Sequence, residues 1–210
     1  MLSVVLGTRS EHKLTELRRM IAAAALPIRL APLPAAVAEV AETGVTFREN
    51  AAIKALSYAQ ATGQLVLADD SGLEVDALGG EPGVHSAYFA GRPRDDLANN
   101  RKLCEKIRQI PPNQRTARYL CCLILARPGT ILLEAEGSVE GTITPDERGA
   151  GGFGYDPHFV VAGMNRTAAE LTPAEKDVVS HRGRALRAML ARIADRLRSD
   201  PSWPGDASAA

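Results

Sequence analysis

Three things are scarce in this 210-residue chain, and each absence excludes a class of protein. Cysteine occurs only at Cys104, Cys121 and Cys122, an odd count with two of them adjacent. No disulfide framework or CxxC pair can be drawn, so the pattern points to a reducing, cytoplasmic location. Net charge is also missing, because 25 Lys+Arg stand against 25 Asp+Glu. Nonspecific nucleic-acid binding runs on an excess of cations, so nucleic acid is an improbable partner, although a local cationic pocket is still allowed. Long apolar runs are lacking too: none reaches the roughly 18 residues of a membrane span. The opening Met1-Leu2-Ser3-Val4 has no basic start of a signal peptide. Chemical motifs are sparse as well. His12, His85, His158 and His181 lack metal-ligand spacing, which argues against zinc, and neither a Walker A loop nor a Gly-x-Ser-x-Gly elbow occurs.

What remains is the composition of an ordinary globular protein, 45% hydrophobic and 24% charged. A chain this long buries roughly 70% of its unfolded surface and needs no staples. Apolar periodicity predicts a buried strand over Leu2 to Leu6 and then a helix through Leu14, Leu17 and Ile21. Prolines between Ala31 and Pro34 predict a loop. Thr46-Phe47-Arg48-Glu49 has the form of a capping box opening a helix that ends near Gly63. Leu65 to Ala68 is expected as a strand closing on Asp69-Asp70-Ser71-Gly72. A helix over Asp95 to Ile110, a hairpin of strands 116–126 and 131–143, and a short strand 159–161 follow. A second capping box, Thr172-Pro173-Ala174-Glu175, precedes a final helix over about 181–197. The alternation predicts an α/β fold with a mixed sheet. Residues 1–198 are expected to form one two-lobed domain and 199–210 a flexible tail.

Several segments admit both a chemical and a plain structural role. Thr8-Arg9-Ser10-Glu11-His12-Lys13 joins a strand to a helix, so it either holds an anion at the helix start or is a solvated cap with Ser10 as N-cap. Asp69 and Asp70 either supply a metal ligand and proton acceptor or form an Asp-rich turn. Adjacent strand residues face opposite ways, so the two carboxylates are not expected to act as one pair. The glycines from Gly149 to Gly154 let backbone approach a ligand, and Phe153 or Tyr155 could stack on a nucleobase or plug the core. Lys176 and Arg182 offer donors to oxygen acceptors, while a lone helical Lys is commonly solvated.

Taken in order, Thr46-Phe47-Arg48-Glu49-Asn50-Ala51, Ala68-Asp69-Asp70-Ser71-Gly72-Leu73, Gly151-Gly152-Phe153-Gly154-Tyr155-Asp156-Pro157 and Ser180-His181-Arg182-Gly183 resemble the inosine triphosphate pyrophosphatase (XTP/dITP diphosphatase) family. The resemblance runs from Val4 to about Leu190. It implies a long mixed twisted sheet with flanking helices and two lobes around a nucleotide cleft. It also implies a homodimer that hydrolyses ITP, dITP and XTP to the monophosphate and pyrophosphate with Mg²⁺. On its terms Asp70 is the proton acceptor and a Mg²⁺ ligand, with Glu42 as a second metal candidate. Lys13 and Lys54 contact the phosphates, and Thr8, Arg9, Ser10, Glu11, His12 and Ser71 bind substrate. Phe153, Gly154, Tyr155 and Asp156 line the base and sugar pocket, while Lys176, His181 and Arg182 read the purine.

Two departures stand out. Thr8-Arg9-Ser10 replaces the usual Thr-Gly-Asn, and Ala41-Glu42 replaces two successive glutamates. They leave open a pyrophosphatase of different base preference, or a nucleotide-binding sensor without turnover. An ordinary Asp has a pKa near 3.9, so Asp70 is expected to be ionised and weakly basic at neutral pH. The cations gathered by the resemblance are expected to make the site locally positive.

Overall fold

The structure, a computed structural model, describes residues 1–200 and 202–204. Residues 201 and 205–210, part of the expected tail, lie outside the described residues. Among the described residues six strands form one mixed sheet, and the chain divides into two compact units. The strands are β1 (Leu2–Leu6), β2 (Ile28–Pro32), β3 (Val66–Val75), β4 (Thr116–Arg127), β5 (Thr130–Ile143) and β6 (Phe159–Val161), in the order β2-β1-β3-β4-β5-β6. β1 runs parallel to β2 and to β3, while β5 and β6 are antiparallel. The two-residue link Pro128-Gly129 makes β4 and β5 a hairpin, since parallel neighbours need a far longer crossover. The helices are α1 (Glu11–Ala23), α2 (Phe47–Thr62), α3 (Asp96–Ile107), α4 (Pro173–Val179) and α5 (His181–Ser199). The unit boundaries fall inside β3, β4 and β5.

The first unit comprises Met1–Asp70, Cys121–Gly137 and Arg184–Ala210. Its core joins Leu2, Val4 and Leu6 of β1 to Leu14, Leu17 and Ile21 of α1, to Leu123 and Leu125 of β4, and to Leu186, Met189 and Ile193 of α5. Each set follows its own period, two along the strands and three or four along the helices. Ala51, Ala55 and Ala59 give α2 a face of small side chains, all fully buried. Both expected capping boxes form. At α2 the Thr46 hydroxyl accepts the Glu49 N–H at 3.1 Å while the Glu49 carboxylate accepts the Thr46 N–H at 3.3 Å. Thr172 and Glu175 repeat the motif at α4. Trp203, within the segment expected as a tail, packs partly buried against this core.

The second unit comprises Ser71–Leu120 and Ser138–Gly183. Leu73 and Val75 of β3, Leu103 and Ile107 of α3, Val139 and Ile143 of β5, and Phe159 form its core. In the first unit's part of β4, Cys121 and Cys122 are packed, and burial pushes the Cys122 thiol up to about 12, which leaves it inert.

Two expectations about elements change. Ala31 and Pro32, expected in a loop, instead end the edge strand β2, where Pro32 is tolerated at the strand end. β3 runs ten residues instead of stopping before the acidic pair, so Asp69, Asp70 and Ser71 lie within the strand. They stay there because lysines reached from other elements neutralise both carboxylates.

Candidate active site

The first cluster lies in the first unit. Asp69 meets the Lys13 ammonium of α1 at 2.9 Å, and Asp70 meets Lys54 of α2 at 3.0 Å. Lys54 also touches the Glu42 carboxylate at 3.2 Å. Asp69, Asp70 and Lys54 are all buried. In this cluster two lysines face three carboxylates.

Burial dominates the ionisation of Asp70. It raises the carboxyl to about 6 against the opposing pull of Lys54 and Lys13, with Glu42 adding to the rise. Asp70 is therefore still mostly ionised at pH 7, but about a hundredfold more basic than an ordinary Asp. Burial alone would depress the Lys54 ammonium, yet Asp70, Asp69 and Glu42 hold it raised and charged.

The segment before α1 supplies the cluster's rim. Ser10 occupies the N-cap position but makes no side-chain cap bond, and Thr8 Oγ1 accepts the Ser10 N–H at 3.2 Å. The first turn of α1, with Glu11, His12 and Lys13, thus begins without the hydroxyl that would close its amides. The Arg9 guanidinium donates instead to the backbone carbonyls of Val37 and, at 3.4 Å, Pro34. It holds the loop that leads to Glu42.

The second cluster lies in the second unit. Asp156 is nearly fully buried and accepts from Lys176 Nζ at 2.7 Å and from the Phe153 N–H at 2.9 Å through one oxygen. Lys176 Nζ lies 4.9 Å from the centre of the Phe153 ring and the Arg182 guanidinium carbon 5.6 Å from it. Arg182 donates to Ser71 Oγ at 2.9 Å. Lys176, His181 and Arg182 are buried, so the solvated alternative for Lys176 is excluded. Tyr155 is buried in the core, and its hydroxyl donates to the Ser86 carbonyl at 2.8 Å. Gly152 is required here. Its φ is +73°, and a Cβ would stand 2.1 Å from Asp156 Oδ2.

Tyr119 was not singled out from the sequence. Its ring stacks on His181 with centroids 4.7 Å apart and planes 10° from parallel. Burial raises its phenol well above the ordinary range, and the bond to Asp156 adds to that. The alternating start of β4 was the one available signal, marking residues 117 and 119 as inward.

A model of the Ham1 family matches residues 4–192. The chain belongs to the Ham1 family. It is 48% identical over 202 residues to a dITP/XTP pyrophosphatase of Frankia alni, covering 93% of this chain and 99% of that protein. A dITP/XTP pyrophosphatase of Bacillus subtilis is 42% identical over 187 residues, covering 89% and 94%. Among solved structures, a HAM1 protein from Coxiella burnetii superposes with a TM-score of 0.85 at 39% identity, covering 93% of this chain and all of that one. A nucleoside-triphosphatase (dITP/XTP pyrophosphatase) from Mycobacterium abscessus gives 0.72 at 44% identity, covering 90% and 99%.

The Ham1 resemblance implies Mg²⁺, and the first cluster fits such an ion. Asp70 Oδ2 is buried with no hydrogen-bond partner, an uncompensated acceptor on a carboxyl that also feels the Glu42 charge. Hard carboxylate oxygens suit Mg²⁺. Among the described residues no cluster of three or more His, Cys, Asp or Glu is arranged to hold a metal ion. Mg²⁺ typically takes only one or two protein carboxylates and completes its shell with water and phosphate oxygens, so a site of that kind does not require three.

Proposed function

We propose that this Ham1-family chain is a dITP/XTP pyrophosphatase, hydrolysing noncanonical purine nucleoside triphosphates to the monophosphate and pyrophosphate. The observation that carries its chemistry is Asp70: a buried carboxylate raised to about 6, with one oxygen held by Lys54 and the other left without a partner. Water attacks the α-phosphorus, a new P–O bond forms, and the bond to the β-phosphate oxygen breaks. Asp70 accepts the proton released from that water, a task worth about 10²–10⁴-fold in rate. Burial raises its pKa in the metal-free site, and a cation ligated by the same carboxylate would lower it again, so positioning of the water carries the step. Mg²⁺ held by Asp70 and Glu42 would neutralise charge on the phosphates and on the departing pyrophosphate. Lys13, Lys54 and the open first turn of α1 offer the phosphates charged donors and amides.

The second cluster reads the base. Phe153 offers an aromatic ring for stacking, and Lys176 and Arg182, lying over that ring, bring charged donors beside it. Hypoxanthine and xanthine carry oxygen at C6 and accept from those donors, whereas adenine carries an amino group and leaves them unpaired. Buried donors left unpaired can reject a substrate by several orders of magnitude. The homodimer and the cytoplasmic location rest on the family resemblance and the cysteine pattern.

Asp70→Asn tests the assignment. With ITP and Mg²⁺ the wild type should release pyrophosphate, and the variant should lose at least about a hundredfold in kcat while still binding nucleotide. Undiminished turnover in the variant would remove Asp70 from the chemistry. Tight ITP binding by the wild type without pyrophosphate release would favour the sensor.

A further inference from the structure

Helix α3 supplies none of the residues assigned above, yet two of its side chains hold the loop that carries Phe153. Asp96 and Asn100 stand four residues apart, one above the other on a single helix face. Asp96 Oδ2 accepts the Gly154 N–H at 3.1 Å, and Asn100 Nδ2 donates to the Gly154 carbonyl at 2.9 Å. Both polar groups of one residue are thus gripped from one helix. Gly154 has φ +63°, a left-handed conformation that its neighbours would not favour unaided. Asp96 is itself fixed, because Arg94 donates to its two oxygens at 2.7 and 2.9 Å.

We propose that Asp96 and Asn100 are positioning residues for base recognition: their two-point grip on Gly154 sets where Phe153 and Asp156 present themselves to the purine. This rests on the function proposed above. Phe153 directly precedes the gripped residue, and its N–H binds the Asp156 oxygen that also holds Lys176. Displacing the Gly154 peptide therefore moves the stacking ring and loosens the Lys176 anchor together. Asn100 points to the same role. Its Oδ1 is buried with no partner, so an apolar side chain would suit the packing better, and the donor to Gly154 is what the amide provides. Nothing in the clamp touches Asp70, Lys13 or Lys54, so its loss should spare the chemical step.

Four variants read this out: Asn100→Asp, Asn100→Ala, Asp96→Ala and Asp96→Asn. Asn100→Asp replaces the donor by a carboxylate facing a carbonyl, and Asp96→Ala removes the acceptor. Both should raise KM for ITP about tenfold, the size of one lost hydrogen bond, with kcat within about twofold of wild type. Their preference for ITP over ATP should fall in parallel, and Asn100→Ala should behave likewise. Asp96→Asn keeps an oxygen for the Gly154 N–H and should retain a near wild-type KM. Hydrogen exchange at the Gly154 amide reads the clamp without any substrate: it should be slow in the wild type and in Asp96→Asn, and fast in Asp96→Ala. Unchanged exchange at that amide, an unchanged KM in Asp96→Ala and Asn100→Asp, or a fall in kcat and melting temperature without a rise in KM each overturns the proposal. A wild type that does not hydrolyse ITP overturns the proposed function instead, and the exchange result then still decides whether the grip exists.

Discussion

Replacing Lys54 by methionine removes one ammonium from a cluster of three carboxylates while keeping a side chain of similar length. Lys54 lies 3.0 Å from Asp70 and 3.2 Å from Glu42, and it opposes the burial that raises Asp70 to about 6. A cation this close typically holds a carboxyl down by about 1–3 units, so its removal should move Asp70 to about 7–9. At pH 7 the ionised fraction would then fall from about nine-tenths to about one-tenth for a pKa of 8, roughly a tenfold loss of competent base. The sign for stability follows from the same shift. Asp70 binds its proton more tightly folded than unfolded, so the carboxyl favours folding below about pH 4 and that benefit is lost as the pH rises through about 6. The difference is about 3 kcal/mol in the wild type, and Lys54→Met should enlarge it and carry the loss to higher pH. Carbon-13 carboxyl NMR of metal-free protein gives the titration directly, with the Asp70 signal assigned by its disappearance in Asp70→Asn. The acid limb of kcat/KM should move in the same direction. An Asp70 titration in Lys54→Met at or below its wild-type midpoint would refute the account, since burial would then have been balanced by something other than Lys54.

Two further substitutions probe the second cluster and the scaffold. Gly152→Ala drives a Cβ to 2.1 Å from Asp156 Oδ2 at a φ of +73°; it should cost about 1–2 kcal/mol in backbone strain alone, measured by urea unfolding, and lower the preference for ITP over ATP in a nucleotide panel. Thr46→Ala removes the hydroxyl that accepts the Glu49 N–H and should cost about 1 kcal/mol in the same unfolding assay.

Local chemistry was the most legible in the sequence. The capping boxes at Thr46 and Thr172 depend on side chains three residues apart, so spacing alone placed the starts of α2 and α4. The strand β2 was hidden because its partner is β1, more than twenty residues earlier, and its own residues end in proline. The acidic stretch of β3 looks like a turn for a related reason. What keeps Asp69 and Asp70 in a strand is Lys13 and Lys54, which lie outside any local window. Lys176 looks solvated until Asp156, twenty residues away, is seen to hold it. The basicity of Asp70 was out of reach because burial, its chief cause, is a property of the assembled core. The candidate residues could be named from motifs; their pairings and ionisation could not.

The pairing of Lys13 with Asp69 and of Lys54 with Asp70 also bears on turnover. Each ammonium already has an internal counter-ion. If the two lysines bind the phosphates as proposed, a phosphate would share or compete for donors already engaged by a carboxylate instead of meeting a waiting charge. That competition would blunt affinity for phosphate alone and would work again in reverse after the bond is cut. Asp69 and Asp70 would then oppose retention of a highly charged product whose tight binding would otherwise stall the next cycle.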